Sequence, residues 1–325
     1  MTNKFLFLFS DSTIIRKDNN LYIQTGEEQK RPFPIKVIEA IYCIGKIQID
    51  SYTLSFLMAQ NIAIHFFGYR HSYAGTCFPE SPQQINKSGF VLLQQVRAFD
   101  DEKHRLYIAK KITEGHLSNM YNNIKTVMDK NTLTETMNAL EKATSIKETM
   151  GIEGNFKKLY YAHWNLIIKN QRSFKFTIRT KRPPADKINA LISFVNTFIY
   201  SFVLNEIYKT ELDPRIGFLH EPNYKHLSLH LDIAEIFKPI IGDRLIFSLL
   251  NKEEITAKSF TTNNKQIRLT IEAKQKIISS LLNKMEDITT INTQKMNYYK
   301  IIRREVNQIK KTVVEYSDYT PFIKE

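Results

Sequence analysis

Apolar residues alternate in short runs over roughly the first 88 positions and recur every three or four positions afterwards. A strand sends alternate side chains to one face, whereas a helix gathers residues three and four apart, so the two patterns cannot line the same surface. A chain with one such change has to build a sheet-based unit first and a helical unit second. The runs KFLFLF (4–9), STIIRKDNNLYIQT (12–25), IKVIEAIYCIG (35–45), KIQI (46–49), IAIHFFGY (62–69) and SYAGTCF (72–78) predict strands. Asn19 and Asn20 are the expected two-residue hairpin turn, and SYTLSFLMAQN (51–61) is an expected short helix. PESPQQINKSG (79–89) is polar and rich in turn formers, which predicts a linker over 79–88. The remainder reads as almost wholly helical. The expected fold is therefore α+β in two domains: a small, β-rich, sandwich-like domain over 1–88, and an all-α domain over 89–325.

Charge divides unequally across that boundary. Residues 1–88 carry 9 Lys and Arg against 7 Asp and Glu, while residues 89–325 carry 37 against 26. A net charge of +13 implies a polyanionic partner, and its spread along the helical part favours nucleic acid over a membrane surface. Cys43 and Cys77 lack any C-x-x-C or Cys/His spacing for zinc, which fits a reduced, cytoplasmic protein. The apolar run before Asp11 is too short for a signal peptide, and no later apolar stretch is expected to reach the ~18 residues of a spanning helix.

The segment GFLHEPNYKHLSLHLDIAEIFKP (217–239) carries His220 upstream of Asp232 and Glu235. On a helix, carboxylates three residues apart share a face, so the pair and an imidazole from the preceding turn could hold a divalent ion. Glu153 in GIEGNFKKLYY (151–161) is a further candidate ligand. A set of carboxylates and one imidazole suits Mg²⁺ or Mn²⁺ in phosphodiester chemistry. The same spacing also suits a solvated helix face with a satisfied histidine. His226 and His230 form an H-x-x-x-H pair, but no glutamate follows His226, so the zinc-protease signature is absent.

Two basic segments stand out. RSFKFTIRTKRPPADK (172–187) holds Arg172, Lys175, Arg179, Lys181, Arg182 and Lys187 against Asp186, and Pro183 and Pro184 place them before the helix INALISFVNTFIYSFVLNEIY. KMNYYKIIRREVNQIKK (295–311) interleaves Tyr298 and Tyr299 with basic residues. Two such segments in one basic domain point to phosphate contacts. Neither a G-x-x-x-x-G-K-[ST] loop nor a G-x-S-x-G elbow occurs, so nucleotide-driven work and serine hydrolysis find no support.

At this point the chain resembles the Cas-one family, the CRISPR-associated endonuclease and integrase of the spacer-acquisition module. GIEGNFKKLYY resembles that family's glutamate motif, and TKRPPADKINALIS resembles its R-R-P-P-x-D-x-x-N-A-L-L-S block. LDPRIGFLHE and SLHLDIAEIFKP resemble its histidine and acidic motifs, followed by a matching Asp243 and Arg244, with YTPF near the end. Departures are Phe156 and Lys157 where small residues are usual, Lys187 in place of a proline, and His226 and His230 where Arg and Ala are common.

The resemblance implies an N-terminal β-domain that forms a homodimer and a helical catalytic domain. It assigns metal binding and catalysis to Glu153, His220 and Glu235, with Asp232 as an adjacent acidic residue that assists. It implies Mg²⁺ or Mn²⁺ as cofactor, with foreign DNA fragments, a CRISPR repeat and a small ferredoxin-like protein (the Cas-two family) as partners. Arg179, Lys181 and Arg182, with Lys158, Asn189 and Arg244, are the expected DNA contacts. The implied reaction joins the 3′-hydroxyl of a fragment to a phosphodiester of the repeat. A general metal nuclease on branched DNA and a non-catalytic DNA-binding scaffold are the alternative readings.

Overall fold

A computed structural model describes residues 5–18, 20–26, 31–68, 73–79, 82–170, 172–180, 183–223, 227–263, 266–291 and 293–324. They form two compact units, 1–88 and 89–325.

The first unit contains β1 (Phe5–Leu8), β2 (Ser12–Lys17), β3 (Asn20–Thr25), β4 (Arg31–Pro34), β5 (Ala40–Cys43), β6 (Ile47–Ile49), α1 (Ser51–Ala59), β7 (Ala63–Phe67) and β8 (Tyr73–Cys77). They make two four-stranded sheets, ordered β1-β5-β7-β8 and β4-β3-β2-β6. Leu8, Ile41 and Ile64 from the first sheet share one core with Ile14, Leu21 and Ile23 from the second. β5 is buried along its whole length, because Tyr42 points to the other face, stacked between Phe7 and His65 at 4.5 and 4.7 Å. Gly45 lies where a Cβ would come within 2.6 Å of the Phe9 carbonyl oxygen, so the chain can cross there only without a side chain. The expected Asn19–Asn20 turn needs correction at Asn20, which pairs with Lys17 as the first residue of β3, and Asp18 has φ 55°, while Asn19 lies outside the described residues. Asp50 caps α1 by accepting from the Thr53 amide at 2.8 Å.

α2 (Pro82–Asp100) starts before residue 89 and runs into the second unit, which then contains α3 (Glu102–Ile124), α4 (Lys130–Lys142), α5 (Ile146–Ala162), α6 (Trp164–Ile167), α7 (Lys187–Tyr208), α8 (Leu229–Phe237), a π-helical turn (Lys238–Asp243) and α9 (Arg244–Asn251). It continues through β9 (Phe260–Asn263), β10 (Gln266–Leu269), α10 (Ile271–Glu286), β11 (Ile288–Ile291), β12 (Gln294–Asn297) and α11 (Tyr298–Glu315). Three expectations need correction. The predicted linker 79–88 is helical from Pro82 onward, because proline is compatible with a first helical turn and the turn-forming residues after it do not prevent the helix from continuing. The all-α description misses two antiparallel hairpins, β9–β10 and β11–β12. Their four-residue strands, FTTN, QIRL, ITTI and QKMN, are too short to show a period of two.

The third correction concerns α7, which does reach the length and mean hydropathy of a spanning segment, at 22 residues and 1.4. Yet 78% of that window is buried inside the unit, so it is the core helix. Leu191, Val195, Phe198, Phe202 and Ile207 are all but fully enclosed, and α8, α11 and the π turn pack against it.

Candidate active site

Three helices bring one imidazole and two carboxylates together. His116 of α3, Glu153 of α5 and Glu235 of α8 each offer a ligand atom, all within 4.8 Å of one another. His116 Nδ1 lies 3.0 Å from Glu153 Oε1, and its Nε2 lies 3.5 Å from Glu235 Oε2. The ring is 2% exposed, and among the described residues Nδ1 has no aligned hydrogen-bond partner. α5 starts at the cap Ser145, whose Oγ accepts from the Glu148 amide at 3.2 Å, and Glu153 follows two turns later. After Glu235, Pro239 cannot donate to the carbonyl four residues back, and the backbone widens into the π turn.

His220 lies beside this cluster, outside the tight set. It donates from Nδ1 to Asp232 Oδ1 at 2.7 Å, which leaves Nε2 as its free nitrogen. Asp232 also accepts the backbone amides of Phe218 and Leu219 on Oδ2, at 2.6 and 3.0 Å, and that of His220 on Oδ1 at 2.9 Å. A carboxylate offers about four acceptor sites, and all are taken. Asp232 is fully buried and, in this structure, holds His220 and the 218–220 backbone rather than joining the His116, Glu153 and Glu235 set. Gly217 makes this latch possible, since a Cβ there would meet Asp232 Oδ2 at 2.8 Å.

The charges are balanced from within. Lys157, one turn after Glu153, donates from Nζ to Glu153 Oε1 at 2.6 Å and to Glu235 Oε2 at 3.1 Å. Lys238 donates to Glu235 Oε1 at 2.6 Å. Burial opposes ionisation of both glutamates, but Lys157 and His116 together outweigh it for Glu153, and Lys157 and Lys238 with the neighbouring imidazoles together outweigh it for Glu235. Both carboxyls are held well below the usual carboxylate range. The lysines lose by burial, but their partners together return more, Glu235 and Glu153 for Lys157 and Glu235 with Tyr200 for Lys238, so both stay charged. Burial pushes His116 down despite Glu235, leaving a neutral ring, whereas for His220 the hydrogen bond and charge of Asp232, with the charge of Glu235, together overcome burial and raise it. Two ionised carboxylates with a neutral imidazole whose Nδ1 lacks an aligned partner form a donor set that fits Mg²⁺ or Mn²⁺.

The family model for "CRISPR associated protein Cas1" matches residues 6–283. A "CRISPR-associated endonuclease Cas1" of Fusobacterium nucleatum subsp. nucleatum is 36% identical over 328 residues, covering 97% of this chain and 95% of that one. The chain belongs to the Cas1 family. A Cas1 protein from Thermotoga maritima superposes with a TM-score of 0.86 at 32% identity, covering 99% of this chain and 100% of that one. A casposase bound to integration product shares the fold, with a TM-score of 0.85 at 21% identity over 99% of this chain and 93% of that one.

In this Cas1 chain the expected DNA contacts meet different fates. Lys158 is exposed on α5. Arg179 is half-buried and donates to Asn189 Oδ1 at 2.9 Å, to Ser193 Oγ at 3.1 Å and to the Thr180 carbonyl. Asn189 is fully buried and donates from Nδ2 to the Ile178 carbonyl and Asp186, while its Oδ1 also accepts from the Thr180 amide. It is the clasp of the turn before α7, with no surface left for DNA. Arg244 is half-buried and donates to Asn123 Oδ1 at 2.6 Å. Lys181, Arg182 and His226 lie outside the described residues, and His230 lies edge-on to the Tyr200 ring. Along β12 and α11, Lys295, Lys300, Arg303 and Arg304 line an open cleft of about 750 Å³, but Tyr298 and Tyr299 are buried core residues.

His116 escaped the sequence reading because no motif surrounds it. A signal was present: it continues the buried stripe Ile108, Ile112, His116, Met120 at four-residue intervals, where an apolar residue belongs.

Proposed function

We infer that this chain is a metal-dependent DNA integrase of CRISPR spacer acquisition, which joins the 3′-hydroxyl ends of foreign DNA fragments to phosphodiesters of the repeat. The observation that carries this reading is the convergence of Glu153, Glu235 and an imidazole in a buried, charge-compensated cluster of a strongly basic Cas1 unit. Glu153, Glu235 and His116 would hold the ion, with His220 presenting Nε2 from the side. A bound Mg²⁺ or Mn²⁺ supplies charge stabilisation at the scissile phosphate and lowers the pKa of the attacking hydroxyl. Asp232 fixes the tautomer and aim of His220, so that Nε2 can hold a proton or a ligand bond. Lys158 and the α11 cleft supply sequence-independent phosphate contacts. The family relationship supports a small ferredoxin-like Cas-two partner and a homodimer through the β-rich unit.

The test is strand transfer of a labelled 3′-hydroxyl duplex into a supercoiled plasmid bearing a CRISPR repeat, with the small partner present, in Mn²⁺ against EDTA. Joining is expected in Mn²⁺ alone, and His220→Ala is expected to lower it on the order of 100-fold or more while salt-dependent DNA binding persists. Equal loss of binding and joining in that variant would count against a catalytic role. Nicking without joining would make the protein a nuclease, and binding with neither reaction would make it a scaffold.

A further inference from the structure

The acidic pair carries a cation of its own. Glu153 and Lys157 are one turn apart on α5, an arrangement that keeps their side chains on one face. The ammonium sits 2.6 Å from Glu153 Oε1 and 3.1 Å from Glu235 Oε2, the same two oxygens that His116 approaches. These are the atoms the cluster can offer to a metal. We propose that Lys157 is an internal counter-cation which a divalent ion has to displace from Glu153 and Glu235, and that this displacement sets the metal affinity of the site. The proposal rests on the metal-dependent reading above.

Charge opposes joint occupancy. Two carboxylates face Lys157 and Lys238, so the cluster is neutral before any ion arrives. A divalent cation added beside both lysines would leave two uncompensated positive charges among side chains with little water. At close range among poorly hydrated side chains like charges repel strongly, and twice as strongly against a divalent ion. One ammonium therefore leaves, and the surroundings decide which. The Lys238 side chain is 11% exposed and lies 4.6 Å from the centre of the Tyr200 ring, whose face attracts a cation. The Lys157 side chain is 27% exposed and can swing outward about its own stem. Lys238 remains as a fixed partner of Glu235, and Lys157 is the exchangeable one.

The experiment titrates Mn²⁺ into the full-length protein at neutral pH and constant ionic strength. Binding is read by loss of the free Mn²⁺ EPR signal and by the rise in melting temperature. Lys157→Met keeps the stem and removes the charge, Lys157→Arg keeps the charge, and Lys147→Met is the control on an exposed face of the same helix. Lys157→Met is expected to bind Mn²⁺ about tenfold more tightly or better than wild type. Its melting temperature in EDTA should fall, because two carboxylates then face each other with less compensation. Lys157→Arg and Lys147→Met should bind as wild type does. Equal or weaker Mn²⁺ binding by Lys157→Met, with binding by wild type intact, overturns the proposal and leaves the metal site standing. Absence of Mn²⁺ binding in every variant and in wild type overturns the metal reading and the proposal with it. Should Lys157→Met not fold, Lys157→Gln replaces it in the same titration under the same criteria.

Discussion

Two glutamate settings in the helical unit have nearly equal depth and opposite chemistry. Glu153 and Glu235 are 9% and 4% exposed and remain ionised, because ammonium groups reach their oxygens. Glu305 on α11 is 1% exposed and among the described residues accepts hydrogen bonds only from neutral donors: the Tyr319 hydroxyl, and the Phe322 amide at 3.2 Å. Burial pushes its carboxyl up to about 7, with the Tyr319 hydrogen bond offsetting only part of that rise. Depth therefore does not decide whether a buried glutamate is charged. The partner does, and a charged partner marks the functional cluster while neutral partners mark the clasp of the C-terminal tail.

The largest test of this contrast is Glu235→Gln. An acidic site without internal cations gains stability when it loses a carboxylate, but here Lys238 would lose its only carboxylate within ion-pair range among the described residues and Lys157 one of two. Chemical denaturation in EDTA should show a loss of roughly 3–5 kcal/mol. An unchanged or raised stability would mean that the lysines do not compensate the pair.

The second test is the pH dependence contributed by Glu305. Its folded pKa lies above the unfolded value of 4.5, so in this window the native state binds the extra proton. Its stabilisation is complete below the unfolded pKa and is lost as pH rises through about 7. Glu305→Gln should flatten the melting temperature between mildly acid and mildly alkaline pH, with a difference on the order of 2–3 kcal/mol at most. An unchanged profile would place the titration elsewhere. The smallest effect belongs to Tyr319→Phe, which removes one donor from Glu305. It should cost about 1 kcal/mol by the same denaturation assay and move the Glu305 transition further upward. A cost near zero would show that the hydroxyl does not hold the tail.

Much of this could be read from the chain, for reasons that differ element by element. The change from alternation to helical spacing was legible because both units bury one apolar face over many residues. Glu153 and Glu235 stand out in the sequence through their motifs, and the fold brings them together. The depth of the cluster was not legible, since an i, i+3 carboxylate pair looks the same on a wet helix face as in a core. Nor was Asp232's saturation by three amides and an imidazole, because those donors come from a loop folding back twelve or more residues. Asn189 read as a contact residue for the same reason: its amide is enclosed by a turn that the prolines shape only in three dimensions. The short hairpins at 260–269 and 288–297 lay below the length at which any period can be counted.

The latch at Asp232 has a consequence for anyone dissecting this protein genetically. One carboxylate fixes the path of the 218–220 backbone and the aim of the imidazole it delivers, so the two cannot be altered independently from that position. An inactivating allele at 232 would be scored as a chemical defect and mapped beside Glu235, although its primary lesion is in the shape of a loop. A suppressor that restores the loop elsewhere would still leave the ring without its tether. For inheritance and for screening, residues 220 and 232 behave as one locus separated by eleven codons.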